Sequence, residues 1–164
     1  MSGFRAPLRD PVRDRTGSWG RETMRAGVLA GLAMIPFAAI FRARGLRVNE
    51  YGRKTLALLI SHESPTVHWL LVFTQHLVIS VVAAAPLIWI LQRIQGRAAR
   101  ILLGTLYGSC FYVLVNAQAL PSLFGDPSPF ELGFEVVYPS LVIHTVYGFV
   151  LGCVAWSRPG AGPR

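Results

Sequence analysis

Polar and apolar residues are segregated into blocks along this chain. Four stretches, residues 26–41, 64–92, 101–125 and 136–157, contain no Asp, Glu, Lys or Arg, and they are 16, 29, 25 and 22 residues long. A helix needs about 20 mostly apolar residues to cross a bilayer. The pattern predicts an all-α fold, an integral membrane bundle of four transmembrane helices. The first stretch is short, roughly 24 Å as a helix against a hydrocarbon core of about 30 Å. Arg25 and Arg42 flank it and can reach the two interfaces on their long stems. In the second stretch Pro65 suits the first helical turn, and Trp69 and Trp89 sit near the ends, at aromatic-belt depth. Pro121 is expected to stop the third helix, and Pro139 falls in about the first turn of the fourth.

The remaining segments read as connections. Residues 1–25 carry Pro7, Pro11, Gly17, Gly20 and six arginines, and read as a basic, flexible cytoplasmic tail. Residues 26–157 then form a single four-helix transmembrane domain. The connection 42–63 is polar with an apolar end, Leu56 to Ile60, which beside Arg53 and Lys54 predicts a segment lying in the interface. The connection 93–100 is short, so the spans it joins are neighbours. Gly125, Pro127 and Pro129 make the acidic connection 122–135 a rigid loop.

Composition narrows the class further. Charged residues are 15% of the 164, against about 25% in a soluble domain, which excludes a soluble globular enzyme. The net charge of +8 lies outside the apolar stretches, where lipid head groups explain it without nucleic acid. With four spans and the N-terminus inside, eleven basic residues fall on the inner side and five on the outer. A re-entrant first stretch scores the same, so the charges orient the N-terminus without fixing the number of spans. Small residues four apart in the first stretch favour four. The location implied is a membrane crossed several times, with the N-terminus cytoplasmic. Cys110 and Cys153 lie in apolar stretches without ligand spacing and read as small apolar fillers.

Two patterns bear on packing and chemistry. Gly-x-x-x-Gly occurs at Gly27/Gly31, Gly104/Gly108 and Gly148/Gly152, with Ser80/Ala84 at the same spacing. Small residues four apart share a helix face and let two backbones approach, either within one bundle or between copies in a homo-oligomer. The second pattern is histidine inside the membrane. His76 and His144 occupy matching His-x-Val-x-small runs, His76 to Ser80 and His144 to Gly148, as a weak repeat of a helix pair would. At about 1.5 Å per residue they lie roughly 18 and 12 Å from the outer ends of their spans. Asn116 and Gln118 enter the same outer half from the third span. A buried polar cluster of His76, Asn116 and His144 is expected. It reads as a hydrogen-bond network between helices; the alternatives are a bis-histidine haem b on His76 and His144, or an ion path. The set His62, Glu63 and His68 lacks zincin spacing and reads as interfacial polar residues. No nucleophile elbow, phosphate loop, dinucleotide fingerprint or Cys-x-x-Cys is present, and no catalytic residue or metal site is assigned.

With the spans and histidines in place, the chain resembles the YagU-like small inner-membrane proteins of bacteria. The likeness rests on Ala26-Gly27-Val28-Leu29-Ala30-Gly31, on Thr74-Gln75-His76, on the Pro-rich loop 121–129 and on His144-Thr145-Val146-Tyr147-Gly148, and it covers residues 24–156. The resemblance implies a multi-pass protein of the bacterial cell inner membrane, and because the family looks like one without an established activity it carries over no catalytic residue. Taken together, the chain reads as a small integral membrane protein without enzymatic chemistry, structural, accessory or stress-related. A membrane electron carrier and a small transporter-like or ion-conducting oligomer are the alternative classes.

Overall fold

A computed structural model describes residues 11–49, 51–60 and 64–155, and every regular element among them is helical. The order is α1 (Pro11–Ala43), α2 (Tyr51–Leu59), α3 (Pro65–Leu91), α4 (Arg97–Phe111), a π-helical segment (Tyr112–Ala119), α5 (Leu120–Phe124), α6 (Pro129–Leu132) and α7 (Phe134–Val154). Four lengths of helix are long and apolar enough to cross a membrane: Trp19–Ala43, Pro65–Leu91, Arg97–Phe124 and Phe134–Val154. The protein is a small polytopic membrane protein. Its outer surface fits a lipid solvent, since Val82 is 67% exposed and Leu114 61%.

Two boundaries differ from those the sequence suggests. Residues 11–25, which composition assigns to a flexible tail, are helical and continuous with the first span. Pro11 opens that helix, where a missing N–H costs nothing. Residues 1–10 and 156–164 lie outside the described residues, as do His62 and Glu63. Pro121 does not end the third span. It falls in the first turn of α5, and the helix runs on to Phe124 before Gly125 stops it at φ 64°.

The seams are built by the small residues. A Cβ at Gly104 would strike the backbone of Gly148 and Gly152, and one at Gly148 the backbone of Gly104 and Gly108. α4 and α7 therefore touch backbone to backbone, antiparallel. Gly27 and Gly31 bring α1 against α3: a Cβ on Gly27 would lie 2.7 Å from Val81 Cα in the backbone, and one on Gly31 2.7 Å from the Ser80 side-chain Oγ. The six glycines are thus engaged within the chain. α1 joins the two hairpins along α7. Arg25 Nη2 donates to Val154 O at 2.6 Å at one end, and Phe41 meets Tyr138 edge-to-face, centroids 5.5 Å apart, at the other. Arg100 Nη1 donates to Ala155 O at 2.7 Å. These two arginines close the last carbonyls of α7 in addition to facing the membrane interface.

Polarity divides the bundle along its length. Around the end where α1 enters, Ala26, Ala30, Ala84, Leu87, Ile88, Leu91 and Leu151 form a buried apolar core. Above it, the Tyr107 and Tyr147 hydroxyls donate to Ala83 O and Ser80 O, both at 2.5 Å, tying α4 and α7 to α3 just before Pro86. Toward the opposite end the interior becomes polar.

Candidate functional site

The polar end is organised by a change of helical register. Between Tyr112 and Ala119 the third span winds as a π-helix. Leu120 N–H bonds Val115 O, five residues back. Asn116 O would next accept from residue 121 in that register, but Pro121 has no N–H. The same proline deprives Ala117 O of its ordinary α-helical donor. Side chains from the flanking connections fill both positions. Asn49 Nδ2 donates to Asn116 O at 3.3 Å, and Ser128 Oγ donates to Ala117 O at 2.9 Å. Ser128 also caps α6 in a capping box with Glu131. A proline in the third span thus draws the first and third connections onto the end of the bundle.

The π turn aims Asn116 at α7. Asn116 Nδ2 lies 3.0 Å from His144 Nε2, and His144 Nδ1 lies 2.7 Å from Ser140 O. A carbonyl only accepts, so Nδ1 carries the proton and donates to Ser140 O. Nε2 is then the acceptor for the Asn116 amide. Ser140, itself buried, accepts Asn49 N–H on its Oγ at 3.1 Å. The imidazole is stacked against Phe111, centroids 6.2 Å apart, and lies 5.6 Å from Tyr112. The Tyr112 hydroxyl is buried with no hydrogen-bond partner among the described residues.

The expected trio divides. Asn116 and His144 are bonded to each other. His76 instead donates from Nε2 to Gly31 O at 2.9 Å, across the α1–α3 seam. It takes a carbonyl that the absence of a side chain on Gly31 leaves open. Gln118 is exposed and turned away from the network. The residues do not fit a bis-histidine haem. Both Nε2 atoms, which would ligate iron, are hydrogen-bonded to protein groups. The glycine faces leave no room for a porphyrin, because Gly27, Gly104, Gly108, Gly148 and Gly152 abut backbone and Gly31 abuts the Ser80 side chain. No group of three or more His, Cys, Asp or Glu that would hold a metal occurs among the described residues.

Asn49 and Ser140 are missing from the expected cluster. Asn49 sits in a charged connection with no periodicity to flag it, and Ser140 reads as one small residue in an apolar span.

Above the network lies a recess of about 500 Å³, lined by Arg42, Arg47, Asn49, Arg53, Lys54 and Asp126 among others. Lys54 and Asp126 form an ion pair between α2 and the loop after α5. The hydrogen bond from Lys54 holds the Asp126 carboxyl below the usual carboxylate range, and the charge of Arg47 acts in the same direction. Arg53 stacks over Trp69 at 4.6 Å from the ring centroid. Comparison with protein-family models, with characterised proteins and with solved structures returns no significant match.

Proposed function

We propose that this is an accessory membrane protein without enzymatic chemistry, whose polar network holds a folded cap on one end of the bundle. The observation that carries this reading is the saturation of His144. Nδ1 is engaged with its own helix and Nε2 with Asn116, so the ring joins α7 to the third span and leaves no nitrogen for a substrate or a proton relay. Asn116 and Ser140 in turn bind Asn49, the residue that anchors the first connection. A bacterial inner membrane, with the N-terminal end of α1 cytoplasmic, suits the distribution of basic residues. The resemblance to YagU-like inner-membrane proteins supports that location.

The test is a double-mutant cycle on thermal unfolding in detergent, using Asn116→Ala, His144→Ala and the double variant. A coupling of about 0.6 kcal/mol is expected for such a pair inside a membrane protein. Strictly additive losses would remove the network from the account.

A further inference from the structure

We infer that the recess between the first and third connections is a binding site for a phosphate group, carried by an anionic lipid. This rests on the cap reading, because Asn49 and the loop after α5 form part of its wall. Three observations support it. Among the described residues the lining holds four cationic side chains, Arg42, Arg47, Arg53 and Lys54, and one carboxylate, Asp126. Arg47 is exposed, and its planar fork matches phosphate oxygens two at a time.

The second observation is scale. A recess of about 500 Å³ accepts a head group and is not a mere dent between side chains. The third is its surroundings. Trp69, which lies beneath Arg53 of the lining, is itself exposed, and the far end of α2 exposes Leu58 at 74% and Leu59 at 76%. A free phosphate has no use for an apolar border, whereas acyl chains do. Trp69 stands in the first turns of α3, so a ligand here straddles the boundary between water and hydrocarbon.

The full chain, reconstituted in vesicles, reports on the site through Trp69. The probes are brominated phosphatidylglycerol and brominated phosphatidylcholine, and the signal is the emission component lost in Trp69→Phe. Phosphatidylglycerol is expected to quench Trp69 preferentially. Arg47→Ala should reduce that preference several-fold, and Arg47→Glu should abolish it. Arg97→Glu, an equal charge change at the opposite end of the bundle, should leave it intact. If inorganic phosphate erases the preference while sulfate at matched ionic strength does not, the phosphate site stands and a soluble ligand replaces the lipid as its source. Equal quenching by the two lipids, or equal effects of the residue 47 and residue 97 reversals, overturns the inference. Unfolding temperatures of the same variants separate the two readings: Arg47 variants that melt like the parent leave the cap in place even when binding fails.

Discussion

His144 shows how the chemistry of one side chain is decided by its neighbours. An imidazole within a membrane span invites a ligand or a proton, yet here each nitrogen has a fixed partner and a fixed role. Ser140 O selects the tautomer, and the tautomer makes Nε2 the acceptor that Asn116 requires. His144→Gln would keep a side-chain amide near Asn116 and is expected to retain more thermal stability in detergent than His144→Leu, which leaves the Asn116 amide without its acceptor. Equal melting of the two variants would show that the ring acts by volume alone. Glycine positions provide a second contrast. Gly148→Ala forces a Cβ into the backbone of α4, and a loss of about 1–3 kcal/mol is expected on unfolding in detergent. Gly20→Ala, in α1 with nothing within 4 Å, should instead stabilise by up to about 1 kcal/mol.

The third span is the element in which local sequence and tertiary contact are most closely joined. A π-helical segment admits one more residue per turn than the α-helix, so side chains beyond it are rotated by about 100° for each residue added. Pro121 removes the donor that would close either register, and the freed carbonyls at Asn116 and Ala117 recruit Asn49 and Ser128. Pro121→Ala restores an N–H at that point and is expected to let the segment relax toward an α-helix. The coupling between Asn116 and His144 should then fall toward zero in the same double-mutant cycle. An unchanged coupling would mean that packing against α7, and not the proline, holds the π turn.

At the scale of the whole molecule, two hairpins joined along α1 and α7 carry a cap whose halves meet through Lys54 and Asp126. The sign of its pH dependence follows from the lowered pKa of Asp126. A carboxylate depressed by folding contributes stability above its ordinary value of about 3.9, and that contribution is lost as the pH falls through the lower, folded value. Asp126→Asn should flatten this acid-sensitive part of the unfolding profile and lower stability at neutral pH by the same amount, a small one, as suits an ion pair open to water. Orientation is testable on the same scale. In intact cells an impermeant maleimide is expected to label Arg44→Cys and spare Arg21→Cys; the reverse would invert the bundle.

The four spans were legible in the sequence because the bilayer demands long uncharged helices, a requirement each segment meets by itself. The small-residue faces were legible for a similar reason, since a spacing of four places residues on one side of any helix. What those faces met, and which polar groups found each other, was not local information. His76 and His144 carry the same surrounding pattern, yet one binds a carbonyl exposed by Gly31 and the other an amide turned by a π segment. The chain alone set where it crosses the membrane. Pairing was set by tertiary contact, because a hydrogen bond forms only where a donor and an acceptor from distant segments are brought within about 3 Å.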